Sequence, residues 1–238
     1  MLEAIEKLLI LQDRDRQIGS LEAELAVIPP QRLAKQQKAA AARAKAEAAR
    51  KVVMELETAR KQLELEVETQ QENIHRFSLQ QFQTKKNDEY QALGREIEGA
   101  RRKISKLEDQ QLELMEQTEQ AEQAAQAAAN EAAGIGAEVE RELADLEARQ
   151  KNLHDQLGAT QSGRDSLAEA VEDGLRSRYE RLRKTKGDRV LVGVDRGICG
   201  GCHMKLQPHL LLTCRSGSEI ATCSSCGRLL YYERGMEL

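Results

Sequence analysis

The chain has no tryptophan, two phenylalanines and four tyrosines among its 238 residues. That scarcity excludes a large aromatic-anchored core, because aromatic side chains carry much of the burial in compact domains. Proline is almost as rare: there are three, and none lies between Pro30 and Pro208. Folds rich in sheet and loop use proline at their turns, so a gap of that length leaves long helix as the fitting structure. Cysteine is missing from the first 198 residues, and all five fall between Cys199 and Cys226. No run of about 18 apolar residues is present to span a bilayer. The start of the chain is charged within three residues of Met1 and does not read as a signal peptide, so a cytoplasmic location is expected.

What is present fits the absences. Ala, Leu, Glu, Lys and Arg make up 126 of the 238 residues. About half of a chain in these five types marks long helices and coiled coils when a period of 3.5 or 3.6 accompanies it. The net charge of −4 conceals a split: residues 1–175 carry 24 basic and 34 acidic side chains, residues 176–238 carry 12 and 6. The two parts therefore read as surfaces for different partners.

The period is there. Alternating steps of four and three pick out Leu93, Ile97, Ala100, Ile104, Leu107, Gln111, Leu114, Thr118, Ala121, Ala125, Ala128, Ala132, Ile135 and Val139, twelve of them apolar. An earlier arm gives Ala39, Ala42, Ala46, Ala49, Val53, Leu56, Arg60, Leu63, Val67, Gln70, Ile74 and Phe77, ten of them apolar. Such seams require a partner helix. Both arms have an alanine-rich stretch, and the midpoint between the two falls near residue 85, in polar Thr84-Lys-Lys-Asn-Asp88. Folding the chain there sets alanine against alanine and Leu63 against Leu107, with Asn87 or Asp88 capping the returning helix. The same register places Pro29-Pro30 opposite residues near 140, where Val139-Leu143-Leu146 makes a stutter just after Gly134 and Gly136, so a bend is expected there. The reading is a mainly α chain: a kinked antiparallel coiled-coil hairpin over residues 1–188, tip near 83–88, and a small C-terminal β zinc ribbon over 189–238. Arms of 80 residues would give a rod of about 120 Å. A parallel dimeric coiled coil is the alternative, against which the proline pair and the polar turn both weigh. The hairpin is compatible with a monomer or a side-by-side dimer.

The cysteines follow the pattern Cys199-Gly-Gly-Cys202, twenty residues, Cys223-Ser-Ser-Cys226-Gly. Two Cys-x2-Cys pairs at that separation read as a four-thiolate Zn2+ site. Glycines 200, 201 and 227 are expected to supply positive φ in the two knuckles. Val190–Val194 and Leu229–Tyr232 are the β-prone flanks. With all four positions taken by sulfur, one structural zinc is expected, and chelation is expected to unfold residues near 190–238 and leave the helical rod intact. Cys214 reads as a small buried apolar residue beside Leu210–Leu212, and His203 and His209 are not needed as ligands.

These residues resemble a bacterial family of coiled-coil proteins ending in a C4-type zinc ribbon, the zinc ribbon domain regulatory proteins. Lys86-Asn-Asp-Glu-Tyr-Gln-Ala-Leu93, Arg178-Tyr-Glu-Arg-Leu-Arg183 and the two cysteine knuckles carry the likeness. The resemblance implies a regulator or adaptor rather than an enzyme. It further implies links to nucleic acid, to the alternative sigma factor sigma-54, and to flagellar or type III secretion export components.

Two binding surfaces are readable. Arg176, Arg178, Arg181, Arg183, Lys184, Lys186 and Arg189 precede the ribbon, with Arg228, Tyr231 and Arg234 beyond it. Clustered cations gain from counterion release on phosphate, and tyrosines can stack on unpaired bases. Phe82, Lys85, Lys86 and Tyr90 gather at the tip and suit a protein partner. The competing reading has the tip aromatics capping the hairpin core, and it is the favoured one. The chain thus reads as a non-enzymatic adaptor that binds nucleic acid through its basic ribbon end and proteins through the coiled coil. The alternative is a purely protein-binding scaffold. Four histidines, no phosphate loop and no nucleophile elbow leave catalysis without a foothold.

Overall fold

A computed structural model describes residues 3–217 and 219–232. The element order is α1 (Glu3–Gln83), α2 (Asn87–Glu169), α3 (Asp173–Lys186), β1 (Leu191–Asp195), β2 (Ile198–Cys199), α4 (Pro208–Ser216) and β3 (Leu229–Tyr231). The chain divides into two compact units, Leu33–Leu143 and Met1–Arg32 with Ala144–Leu238.

The Leu33–Leu143 unit is the antiparallel hairpin. Every seam position named above, from Ala39 to Phe77 and from Leu93 to Val139, is buried or half-buried. Apolar residues off the seam stay in water: Leu65 is 62% exposed and Leu112 is 65% exposed. Ala46 and Val53 line one groove together with Ala125 and Ala129, so the alanine-rich stretches do face each other. Lys45 pairs with Glu131 at 2.7 Å and Lys35 with Glu142 at 2.7 Å across the arms. These pairs lie beyond the residue directly opposite, in the direction set by side chains that lean toward their own helix N-termini. Of the seam polar groups, the Thr118 hydroxyl donates to the Leu114 carbonyl at 2.6 Å, while the buried Arg60 Nε makes no hydrogen bond and has only Glu64 as an ion-pair partner at 3.4 Å.

The turn occupies residues 84–86, centred on residue 85. The cap differs from expectation. Tyr90 N–H donates to the Lys86 carbonyl at 3.1 Å, so Lys86, not Asn87 or Asp88, holds the cap position. Glu89 in the first turn reaches back to the Thr84 hydroxyl at 2.8 Å and to Lys86 at 2.9 Å, while Asp88 and Glu89 offset the positive helix end.

Helix α1 continues through Pro29 and Pro30, both exposed, with Ile28 buried beside them. The missing N–H groups leave the Leu25 and Ala26 carbonyls without helical donors. The division between the two units crosses α1 after Arg32 and α2 after Leu143, next to these prolines and the stutter.

The other unit joins the first turns of α1, the last of α2, helix α3 and the ribbon. Ile5, Leu8 and Leu11 of α1, Ala168 and Val171 after the α2 seam, Tyr179 of α3, and Val190, Leu191 and Leu229 of the ribbon form one buried cluster. The sheet order is β2-β1-β3, with β1 antiparallel to β2 and parallel to β3. A second cluster fills the ribbon itself, with Val192, Val194, Leu206, Cys214 and Leu230 among its members. Helix α4, started by Pro208 and ended by Gly217 in the left-handed region, brings Leu210, Leu211 and Cys214 into that cluster. Cys214 is therefore the small buried residue expected of it.

The four-cysteine centre and its polar surroundings

Strand β2 carries Cys199 into the first knuckle, and the residues before β3 form the second. The sulfurs of Cys199, Cys202, Cys223 and Cys226 all lie within 4.8 Å of one another. Cys199 Sγ is 3.9 Å from Cys226 Sγ, and Cys202 Sγ is 3.7 Å from Cys223 Sγ. Four sulfurs about 2.3 Å from one tetrahedral Zn2+ would stand roughly 3.8 Å apart, so the donor set fits that ion. Among the described residues no other group of three or more His, Cys, Asp or Glu is placed to share a metal.

The knuckles share a backbone plan. His203 N–H returns to the Cys199 carbonyl at 2.9 Å, as Gly227 N–H returns to the Cys223 carbonyl at 2.9 Å. His203 (φ 59°) and Gly227 (φ 77°) occupy the equivalent left-handed position. The positive φ expected of Gly200 and Gly201 thus belongs to His203 instead. Those two glycines answer a different need. A Cβ on Gly200 would stand 2.7 Å from the Gly193 carbonyl oxygen, and one on Gly201 would meet the Arg228 side chain at 2.5 Å. His203 and His209 are both exposed and outside the sulfur cluster.

The thiols are unequal. Burial pushes Cys199 up to about 12. Burial also opposes the Cys226 thiolate, but the Arg228 backbone and guanidinium, with Cys202 and Cys223, outweigh it and hold Cys226 at about 6. Burial alone raises Cys214. A coordinated thiol is deprotonated outright, so zinc would override the spread among the four ligands.

Next to the centre lies a polar node that the seam reading did not include. Gln12 of α1 is 3% exposed, and its side-chain amide accepts from Val190 N–H at 2.8 Å and Leu191 N–H at 2.6 Å while donating to the Leu191 carbonyl at 3.1 Å. One turn later Asp15, 2% exposed, accepts from the Tyr179 hydroxyl at 2.7 Å and from Arg164 Nε at 3.0 Å. Arg183 closes on the same carboxylate at 3.2 Å, and Arg164 also engages Glu180. Burial disfavours the Arg164 charge, yet Glu180 and Asp15 more than compensate and its pKa lies above the usual arginine range. Burial and the Asp15 carboxylate push the Tyr179 hydroxyl well above the usual tyrosine range. Carried back from Ala39, the α1 seam reaches Ile28, Ile18 and Leu11 but falls on exposed Arg14, one residue short of Asp15.

The basic residues named from the sequence separate into two groups. Arg183 serves Asp15, Arg178 donates to the Thr222 hydroxyl, and Arg176 pairs with Asp173 at 2.7 Å. Arg189 donates to the Gly200 carbonyl at 2.8 Å, and Arg228 to the Arg189 carbonyl at 2.7 Å. Arg181, Lys184 and Lys186 are exposed. Tyr231 is half-buried against the cluster shared with α1, and Arg234 lies outside the described residues. At the tip Phe82 is 91% exposed and Tyr90 52% exposed, so neither caps the hairpin core. Phe77 does sit in the seam, with the Arg76 guanidinium 5.1 Å from its ring centre.

Residues 11–187 match the CT398-like coiled coil hairpin domain family, and residues 198–230 match the C4-type zinc ribbon domain. The chain belongs to the CT398-like coiled-coil hairpin family. CT398 from Chlamydia trachomatis superposes with a TM-score of 0.82 at 24% identity, over 97% of this chain and 98% of that one. A Mycobacterium smegmatis protein gives 0.58 at 20% identity over 93% and 98%, and HP0958 from Helicobacter pylori 0.56 at 18% over 98% of each. At these identities the structures share the fold. No curated protein matches the chain significantly. The family, the ribbon match and the sulfur geometry together make this a C4 ribbon with one structural zinc. No helix among the described residues is long and apolar enough to cross a membrane.

Metal analysis of the purified chain is expected to find one zinc per chain. Cys199→Ser or Cys223→Ser should lose most of it, and Cys214→Ser should retain it. Retention in the first two, or loss in the third, would contradict the assignment.

Proposed function

We propose that this chain is a non-enzymatic cytoplasmic adaptor whose hairpin tip docks a protein partner. The observation that carries the reading is Phe82, 91% exposed at the tip beside half-exposed Tyr90 and next to Lys85 and Lys86. A phenyl ring left in water forgoes roughly 1.5–3 kcal/mol of burial that a partner's pocket would recover. The lysines suit a pocket rimmed by carboxylates. The absence of catalysis is part of the proposal. It is supported by the matches to a hairpin and a ribbon, and by a closed four-sulfur site that leaves a metal no open position. The resemblance noted in the sequence makes sigma-54 and export components the partners to test first.

Pull-downs from native lysate with Phe82→Ala and Tyr90→Ala should lose at least about ten-fold in partner recovery, as expected for an aromatic anchor. Unchanged recovery would assign the tip to structure alone.

A second reading keeps nucleic acid as a ligand, on a narrower surface than the sequence suggested. Arg181, Lys184 and Lys186 are exposed on α3 and its end, and they support it. Arg178 and Arg183 are held in part-buried contacts, and Arg176, Arg189 and Arg228 in surface contacts within the chain; these support the purely protein-binding alternative. A gel-shift titration in salt separates the two. Nucleic-acid binding predicts affinity at low salt that falls steeply as salt rises and is lost on charge reversal at Arg181, Lys184 and Lys186. Affinity absent at low salt, or untouched by the reversals, would leave the protein-only adaptor.

A further inference from the structure

Gln12 stands 187 residues before Cys199 in the chain, yet it hydrogen-bonds the strand that both knuckles lean on. Strand β1 has partners on both sides. Val194 pairs with Cys199 itself, Gly193 takes the Gly200 N–H at 3.0 Å, and Leu191 to Gly193 pair with the strand that follows Cys226. β2 and β3 have two and three residues, too short to hold β1 in place without the knuckles. At its start β1 is held both by β3, through Leu229 N–H to the Val190 carbonyl at 3.0 Å, and by the Gln12 amide, which takes two N–H groups and gives one N–H back.

We infer that Gln12 is a positioning residue of the zinc site, acting through β1. The zinc-bound ribbon and the first turns of α1 accordingly form one cooperative element. With the metal in place the knuckles fix β2 and β3, those strands fix β1, and β1 satisfies a buried amide. Without the metal, Gln12 would be a 3% exposed amide facing strand positions that no longer hold, and an unsatisfied buried polar group is costly. The buried face of Ile5, Leu8 and Leu11 rests on the same ribbon residues, Val190, Leu191 and Leu229, so it loosens with them. Coupling of this kind is reciprocal: whatever metal binding gives to α1, the α1 contact gives back to metal affinity. Chelation is therefore expected to reach beyond residues 190–238, the extent anticipated from the sequence, and into α1.

Two measurements on the full chain test the inference. In the first, zinc is competed away with a chromophoric chelator from the unaltered chain, Gln12→Met and Val67→Ala. Val67 is a buried seam residue of the Leu33–Leu143 unit, so its variant carries a core lesion outside the unit that holds the ribbon. Gln12→Met should hold zinc about ten-fold more weakly, with Val67→Ala unchanged. Equal zinc retention in Gln12→Met and the unaltered chain would overturn the proposal, as would equal weakening in both variants. In the second, which needs no variant, hydrogen exchange is followed before and after chelation of the unaltered protein. Exchange should rise in residues 5–18 and 173–186 as well as 190–232, and stay unchanged in 33–143. A rise confined to residues 190–232 would overturn the proposal.

Discussion

A carboxylate buried to 2% exposure must be paired, and Asp15 is paired three ways. Tyr179, Arg164 and Arg183 converge on it from two other helices, and most of the second unit is arranged around that requirement. An isolated ion in that place would cost several kcal/mol in lost hydration, and its attraction to well-placed partners offsets the cost only while all of them stay. Fixing Asp15 thus fixes where α2 ends and how α3 returns. Once α3 is placed, β1 starts beside α1, and Gln12 one turn earlier meets its backbone. The apolar cluster of Ile5, Leu8, Leu11, Val190 and Leu229 supplies the burial, while the polar node supplies the alignment.

The basic segment before the ribbon looks different in this light. As a sequence it is a run of cations with few acids, which reads as an electrostatic footprint for phosphate. In the fold, Arg183 neutralises Asp15, Arg178 ties α3 to Thr222, Arg189 donates to the Gly200 carbonyl of the first knuckle, and Arg228 donates to the Arg189 carbonyl. Much of the positive charge is internal wiring. What remains outward without such ties is Arg181, Lys184 and Lys186, and Arg189 is exposed as well despite its bond to Gly200.

The hairpin was legible because its information is one-dimensional: a seam every 3.5 residues, a polar turn and two matching alanine stretches. Every seam position between Ala39 and Val139 is where the heptad places it. The cysteine knuckles were legible because ligand spacing is local. Gln12 and Asp15 were not, because a polar residue in a helix crowded with Arg, Asp and Gln reads as solvated, and the register carried back from the arm seam falls on Leu11 and Arg14 instead. The partners of Asp15 lie 149 and 164 residues away in the chain, at Arg164 and Tyr179, a separation that no periodicity encodes. Helix α4 leaves no such trace in the sequence, because nine residues bounded by Pro208 and Gly217 are too short for a helical period to stand out. The glycines of the first knuckle answer a steric need that their spacing alone does not reveal. They are required by the close approach of Gly193 and Arg228, while His203 takes the left-handed backbone.

The direct test of the central claim is the unfolding free energy of Asp15→Ala, followed by tyrosine emission. Three of the four tyrosines, Tyr179, Tyr231 and Tyr232, belong to the unit organised by Asp15. Removing the carboxylate leaves Tyr179 and Arg183 facing an uncompensated site, and the loss should be about 3–5 kcal/mol. A loss below about 1 kcal/mol would show that apolar packing alone aligns the helices with the ribbon, and the account given for this unit would be wrong.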